Sequence, residues 1–354
     1  MTIIVTGGAG FIGTNFVKKW ISEVTERIIN IDCLTYAGNI KNLKGIANND
    51  NYVFHKVRIG NKDAVKQILN DENPRAIINF AAESHVDRSI LGPEEFFNTN
   101  VIETLSLLNN TKEYFNSLTD TKKNIFKFIH ISTDEVYGSL GKEDKPSVEK
   151  DPYRPNSPYA ASKAASDHLV RSFGKTYELP CIISNCSNNY GPFQYPEKLI
   201  PLIVSNALKE KELPIYGTGE QIRDWLHVSD HCDAIIDILE KGKALETYNI
   251  GGSNEIKNIE LVKLICSNLD KMAPLDNGKF YESLIRFVKD RPGHDTRYAI
   301  NSNKIMKDLN WKPKIPFEVG LVETIKWYIK NDYWLEDIQN KSYDGWINKN
   351  YENR

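Results

Sequence analysis

The chain has 354 residues, 40% of them hydrophobic and 26% charged, with 45 Lys and Arg against 47 Asp and Glu for a formal charge of −2. That composition can bury a full core and suits one large and one smaller domain, while the absent basic excess removes any electrostatic basis for binding nucleic acid or an anionic membrane. No apolar run approaches the roughly 18 to 20 residues that span a bilayer, and the first strand begins at Thr2 with no signal peptide before it, so a cytoplasmic protein is expected.

Thr2 to Thr6 is a β-rich run followed at once by Gly7-Gly8-Ala9-Gly10-Phe11-Ile12-Gly13 and a helical pattern from Thr14 to about Ser22. Gly7, Gly10 and Gly13 have the spacing that lets backbone approach a pyrophosphate and lays it on a helix N-terminus. The next strand, Ile28 to Ile31, ends in Asp32, where an acid would accept from the ribose hydroxyl of NAD and repel the 2′-phosphate of NADP. Cys33, Cys181, Cys186, Cys232 and Cys266 are scattered, odd in number and without C-x-x-C spacing, so they read as reduced core residues, and no metal site is expected.

Further strands are predicted at Tyr52 to Val57, Arg75 to Phe80, Ile125 to Ile131 and Cys181 to Ser184, with helical periodicity between most of them. Strand alternating with helix predicts an α/β protein with a Rossmann-type doubly wound parallel sheet. A long helix is predicted from about Pro93 to Phe115, then a surface loop from Asn116 to Asn124. Past Ser187, Gly-rich punctuation at Tyr190-Gly191-Pro192, Tyr216-Gly217-Thr218-Gly219 and Gly251-Gly252 marks shorter elements. These suit a smaller α/β substrate-binding C-terminal domain over residues 188–330, with parts of 220–250 returning to the NAD-binding domain of residues 1–187. Residues 331–354 form a tail that carries Trp334 and Trp346 and to which sequence assigns no role.

The candidate chemistry sits where the strand around Phe128 to Ile131 gives way to Ser132-Thr133-Asp134-Glu135, because an open α/β sheet binds ligands beyond the carboxyl ends of its strands. Downstream, Tyr159 and Lys163 stand at i and i+4, one face of a helix. A phenol near pKa 10 becomes a usable base when a Lys cation and a positive nicotinamide ring favour the phenolate.

The Thr-Gly-Gly-x-Gly-Phe-Ile-Gly opening together with Tyr-x-x-x-Lys is similar to the extended short-chain dehydrogenase/reductase superfamily. Five further blocks, Asp32 to Asn39, Phe80 to Ser89, Ser132 to Gly138, Ser187 to Pro192 and Arg223 to Leu226, resemble the dTDP-glucose 4,6-dehydratases, from Thr2 to about Trp327. The Asp134-Glu135 pair is the most specific of these features, because related sugar-nucleotide epimerases generally lack it.

The resemblance implies an NAD-dependent lyase of nucleotide-sugar metabolism that oxidises C4 of the sugar, eliminates water across C5 and C6 and returns the hydride to C6. It places Tyr159 and Lys163 at the C4 proton, Thr133 on the C4 oxygen, Glu135 as base and Asp134 as acid. It implies cofactor contacts at Gly7, Gly10, Phe11, Ile12, Gly13, Asp32, Leu34, Thr35, Ile59, Phe80, Ala81, Ala82, Ser84, Thr99, Tyr159, Lys163 and Asn189. Substrate contacts are implied at Ser84, Thr133, Asn188, Lys198, Leu199, Pro214, Ile215, Tyr216, Arg223, Asn258, Arg291 and His294. It also implies a homodimer in which the helices of 93–115 and 159–177 meet their copies as a four-helix bundle. A 4-epimerase or decarboxylase of the same superfamily, or a dehydratase of UDP- or CDP-glucose, stands as the alternative. Two positions depart from the family. Where the pattern has Asp-Ile after the third strand, to accept from the adenine amino group, this chain has Arg58-Ile59, and Arg only donates. Before Cys186 it has Asn185 in place of Arg.

Overall fold

The computed structural model describes residues 1–338 and 341–351. Among the described residues, twelve strands occur in chain order: β1 (Thr2–Thr6), β2 (Arg27–Asp32), β3 (Tyr52–Lys56), β4 (Ala76–Asn79), β5 (Lys127–Thr133), β6 (Cys181–Cys186), β7 (Asn188–Tyr190), β8 (Leu213–Tyr216), β9 (Ile222–His227), β10 (Thr247–Ile250), β11 (Glu255–Lys257) and β12 (Ile285–Val288). Seven of them form an all-parallel sheet in the order β10-β6-β5-β4-β1-β2-β3. Parallel strands need crossover connections whose helices cover both faces, which is why these strands are apolar throughout rather than alternating. Ile3 and Val5 enter one core layer with Phe16, Trp20, Ile78 and Ile235. Ile4, between them, enters the opposite layer with Ile29, Ile77, Leu107, Leu108 and Phe128.

The sheet order reverses between β1 and β4, and that switch point opens the crevice at the carboxyl ends of the strands. A third core lies beyond it, where the helices Leu199–Leu208, Asn258–Met272 and Phe317–Lys330 pack around Tyr190, Trp225 and Leu213. Two small sheets, β11-β9-β7 and β12-β8, face the crevice from that side.

Several expectations change. The strand expected to stop at Ile131 continues to Thr133, because Ser132 and Thr133 keep their parallel pairing with Asn185 and Cys186 of β6. The hydroxyls therefore belong to the strand, and Asp134 opens the 3-10 turn Asp134–Tyr137 that ends it. The helix expected over 93–115 is α-helical at Pro93–Phe97 and Thr104–Ser117, with a π-helical stretch, Asn98–Glu103, between them. The expected loop at 116–124 contains a short exposed helix, Asp120–Lys123. The cysteines are free: Cys181, Cys186, Cys232 and Cys266 are buried and Cys33 partly so. No helix among the described residues is long and apolar enough to cross a membrane.

The tail has a structural explanation that its sequence withheld. Helix Asp332–Ile338 buries Trp334, Leu335 and Ile338 against the third core, and the Trp334 indole nitrogen donates to Asn42 Oδ1 at 2.7 Å. Helix Lys341–Tyr351 then crosses the mouth of the crevice. Trp346 takes the Arg88 guanidinium over its ring at 4.2 Å, and Tyr343 donates to Pro196 O at 2.9 Å.

Helix Val228–Lys241 carries His231, fully buried, with its Nδ1 2.9 Å from Asn189 Oδ1. An amide oxygen only accepts, so Nδ1 holds the proton. Burial pushes the imidazole down to about 3, below the roughly 6.5 of an unfolded histidine. The unfolded chain therefore binds the extra proton first, and this contribution to stability is lost as pH falls below about 6.5. Between about pH 7 and pH 5, His231 alone should cost about 2 kcal/mol of stability. In His231→Asn, which keeps a donor for Asn189, the drop in urea-unfolding free energy over that interval should shrink by this amount. An unchanged pH dependence would count against a neutral buried imidazole.

Candidate active site

The crevice contains a cavity of about 270 Å3 that runs from the glycine turn to the end of β5. Its floor is set by backbone packing. Gly7 sits at φ +70°, and a Cβ there would lie 2.6 Å from Ala81 N; a Cβ on Gly13 would lie 2.2 Å from Gly7 O. Side chains at either position would break the turn. Gly10 has only Gly7 O near its absent Cβ, at 3.3 Å, and as N-cap of helix Phe11–Glu23 it brings no side chain over the first amides. Open amides at the start of a 13-residue helix fit an anionic pyrophosphate. Asp32 is buried with one oxygen accepting from Ala9 N at 2.9 Å and the other from Leu34 N at 2.8 Å. These bonds hold the carboxyl at the cavity wall, where its remaining lone pairs can take a ribose hydroxyl. The residues present thus fit a dinucleotide.

Of the residues implied for the cofactor, Gly7, Gly10, Phe11, Ile12, Gly13, Asp32, Thr35, Ile59, Phe80, Ala81, Ala82, Ser84, Thr99, Tyr159, Lys163 and Asn189 all line this cavity. Leu34 does not. It stands at φ 57° and packs on the first core layer, presenting backbone to Asp32 instead.

At the inner end, helix Pro158–Tyr177 begins with Ser157 as N-cap, accepting from Ala160 N at 3.1 Å, and with Pro158 in its first turn, where the missing N–H is not needed. The helix carries Tyr159 and Lys163 to the cavity. Lys163 Nζ donates to Ile131 O on β5 at 2.7 Å. Burial pushes this amine down to about 8, opposed by the Asp167 carboxylate. Beside it His130 is neutral, driven far below its usual range by burial and by Lys163. Asn185, in place of the expected Arg, donates to Thr133 O at 3.3 Å and to Tyr153 OH at 3.2 Å, bracing the end of β5 without a charge.

Thr133, Asp134 and Glu135 line the same cavity, and Asp134 Oδ2 and Glu135 Oε2 are buried oxygens with no hydrogen-bond partner among the described residues. Burial raises both carboxyls, and their neighbours separate them. Asp134 goes well above the usual carboxylate range, pushed further by Glu135 and Asp224. The rise of Glu135 is opposed by Arg291, Lys198 and Arg223. One carboxyl is thereby kept as an acid and the other is held closer to ionisation. Burial and the charge of Glu135 raise Tyr159 well above 10, so the protein alone does not supply the phenolate that its spacing from Lys163 suggests.

The structure does not bring the expected substrate residues to one place. Ser84, Thr133, Asn188 and Lys198 line the cavity, with Lys198 Nζ donating to Ser84 O at 2.7 Å. Tyr216, Arg223, Arg291 and His294 gather beside it, outside its lining. Tyr216 donates to Asp87 Oδ2 at 3.0 Å, Arg291 Nη1 lies 3.4 Å from Asp87 Oδ1, and the rings of Tyr216 and His294 meet edge to face at 5.9 Å. Arg223 donates to Asp295 O at 2.9 Å and lies over the Tyr298 ring at 4.4 Å. Burial and the two guanidinium groups push His294 down to about 4. Asn258 opens its helix with a buried Oδ1 that has no partner among the described residues. Ile215 is different: its side chain is in the third core, while Leu199 packs against that core and Pro214 pairs with Arg286 of β12. Alternation along β8 turns Tyr216 toward the site and Ile215 away from it.

Four contributors lie outside the residues expected from sequence. Asp87, inside the Phe80 to Ser89 block, joins Arg291 to Tyr216. Glu197 accepts from Tyr36 OH at 2.6 Å and from Arg88 Nε at 2.8 Å at the mouth. From the tail, Tyr351 stacks on Tyr216 with centroids 5.4 Å apart, and Asn350 Nδ2 donates to Tyr216 OH at 2.7 Å. Only Asp87 lay within a motif that could have drawn notice.

The family model described as GDP-mannose 4,6 dehydratase matches residues 4–324. A dTDP-glucose 4,6-dehydratase of Xanthomonas campestris pv. campestris (strain B100) is 52% identical over 342 residues, covering 97% of each chain. The crystal structure of dTDP-glucose 4,6-dehydratase from Bacillus anthracis str. Ames in complex with NAD is 47% identical, with a TM-score of 0.85 over 96% of this chain and 100% of that one. That of the Streptomyces venezuelae dTDP-glucose 4,6-dehydratase, with NAD and TYD bound, is 40% identical, with a TM-score of 0.88 over the same shares. A glycine turn, a Tyr-Lys pair and two buried carboxyls in one crevice accord with these likenesses, and the chain belongs to the GDP-mannose 4,6 dehydratase family, among its dTDP-glucose 4,6-dehydratases.

Proposed function

We propose that this protein is a hydro-lyase that converts dTDP-glucose to dTDP-4-dehydro-6-deoxyglucose and water. The observation that carries the reading is the pair of carboxyls Asp134 and Glu135, each with a buried oxygen that has no partner among the described residues, in the cavity that also holds Tyr159, Lys163 and the glycine turn. Oxidation at C4 or epimerisation needs no second acid and base, whereas elimination needs both. The names of the relatives favour a dTDP-sugar over its UDP and CDP counterparts.

NAD, held by Gly7, Gly10, Gly13 and Asp32, would supply a reversible hydride acceptor in this cavity. Tyr159 would take the proton of the C4 hydroxyl as a phenolate that the Lys163 ammonium and the positive charge of a bound nicotinamide together favour, and Thr133 would bond the C4 oxygen. The resulting 4-ketone acidifies C5–H. Glu135 removes that proton while Asp134 gives its own to the C6 hydroxyl, which leaves as water. The unequal environments of the two carboxyls support this division. Lys198, Arg223 and Arg291 would hold the diphosphate, and Tyr216, Asn258 and His294 the nucleoside side.

Incubation with dTDP-, UDP- and CDP-glucose, followed through the alkali-induced absorbance of the 4-keto-6-deoxy sugar, tests the reading, and absence of keto product from all three would end it. In Asp134→Asn and Glu135→Gln, keto product should fall by roughly a hundredfold or more. C4 oxidation should partly survive, so NADH should accumulate in a single turnover. Equal loss of oxidation and elimination in both variants would refute the division of roles.

Asp32 supports NAD rather than NADP. Because the hydride is returned in each cycle, the cofactor should co-purify. Denaturation and identification of the released nucleotide should give NAD, and NADP would overturn the assignment.

A homodimer through a four-helix bundle is supported by apolar side chains that the two helical segments leave uncovered. Phe97, Ile102 and Tyr177 are exposed, while Phe96, Leu108, Tyr114, Val170 and Phe173 are buried in the protomer. Sedimentation at micromolar concentration should give twice the 40.5 kDa chain mass. A monomer, or a dimer that persists when Phe97 and Ile102 are both changed to Asp, would speak against this surface.

A further inference from the structure

Resting on the NAD reading above, we propose that the carboxylate of Glu103 accepts the exocyclic amino group of the cofactor's adenine. Adenine presents a donor at N6, and a site that reads it needs an acceptor there. The acceptor expected after β3 is missing, because Arg58 stands in its place and a guanidinium only donates.

Arg58 is turned away from the ligand. It is absent from the cavity lining, although Val57 and Ile59 on either side of it belong to that lining. Its Nε and Nη2 each lie 2.7 Å from Glu103 Oε1, and Nη2 lies 3.3 Å from Glu95 Oε1. Glu103 does line the cavity, and it is 8% exposed. It belongs to the π-helical stretch Asn98–Glu103, which also brings Thr99 to the cavity wall. Gly60 makes room for it, since a Cβ there would lie 2.7 Å from Glu103 Cγ.

The free capacity is on the right atom. Glu103 Oε1 is saturated by Arg58, whereas Oε2 accepts one long bond, from Gly60 N at 3.3 Å. The location also fits. Glu103 lines the cavity with Asp32, the ribose residue at the end of β2, and with apolar Val57 and Ile59, which follow the adjacent edge strand β3 and can cover the faces of a purine. Lys163 is tied to β5, on the far side of β1 and β4. Arg58 thus serves as the counter-ion that holds the acceptor in place.

Nicotinamide hypoxanthine dinucleotide tests this, because it replaces the N6 amino group with a carbonyl oxygen, places a proton on the neighbouring N1 and leaves the rest of NAD unchanged. Dissociation constants for both dinucleotides would be measured by calorimetry on the full chain stripped of nucleotide. The wild type should prefer NAD by roughly tenfold or more, the worth of a hydrogen bond to a charged group. Glu103→Gln should bring the ratio to about one or invert it, because a carboxamide can turn its N–H toward the carbonyl. Arg58→Ala should keep a preference for NAD. If Glu103 acted only as a structural partner of Arg58, both constants would move together and the ratio would stay as in the wild type, which overturns the proposal. A wild-type ratio near one overturns it as well, without recourse to any variant. A wild type that binds neither dinucleotide would bring down the NAD reading itself and this assignment with it, a result distinct from an unchanged ratio.

Discussion

The bond from Lys163 Nζ to Ile131 O is the contact on which the site's geometry depends. It runs from the first turns of a helix to a strand two residues short of Thr133, and so fixes how far the helix can slide along the sheet. Tyr159, one turn earlier on the helix, and Thr133, at the strand's end, are brought to one cavity by that single register. Further bonds fasten the helix on its other side: Asn100 Nδ2 donates to Ser162 Oγ at 2.9 Å, and Tyr159 N donates to Ser89 Oγ at 3.1 Å. An amine spent on a backbone carbonyl is also removed from water, which is why it loses its proton more readily than a surface lysine.

Burial is the dominant influence on six ionisable groups in and beside the crevice, and it acts on acids and bases in opposite directions. It lifts Asp134, Glu135 and Tyr159 and depresses Lys163, His130 and His294. All six are thereby pushed toward neutrality. What distinguishes them is the local company: cations near Glu135, carboxylates near Asp134. The protein thus places two chemically similar groups side by side and gives them different proton affinities without different covalent chemistry.

Much of the fold was legible because parallel strands buried on both faces leave apolar runs, and because the glycine turn and Asp32 mark the first crossover by residue type alone. Thr133, Asp134, Glu135, Tyr159 and Lys163 were legible as candidates because they stand at a strand's carboxyl end and on one helix face, and the fold does bring them to one cavity; the roles expected of them came from the family resemblance. The nucleotide side was less so. Ile215 and Tyr216 are adjacent in sequence, yet pleating sends one into a core and the other to the site, and the alternation of a four-residue strand is too short to read in advance. Asp87 and Glu197 act through pairings across 204 and 109 residues, with Arg291 and Arg88 respectively, which no local pattern encodes. The tail was illegible for the same reason: Trp334 has meaning only once Phe193, Trp327 and Tyr328 are folded beside it. The π-helical stretch escaped because periodicity distinguishes a helix from a strand but does not register one widened turn.

The three cations around Glu135 have an effect beyond holding charge in place. In the folded chain Arg291, Lys198 and Arg223 hold down its proton affinity. A diphosphate seated among them would cancel part of their field, and the carboxylate would then bind a proton more strongly. The nucleotide half of the molecule would thus reach a carboxyl that belongs to the sugar half, setting its proton affinity through charge alone.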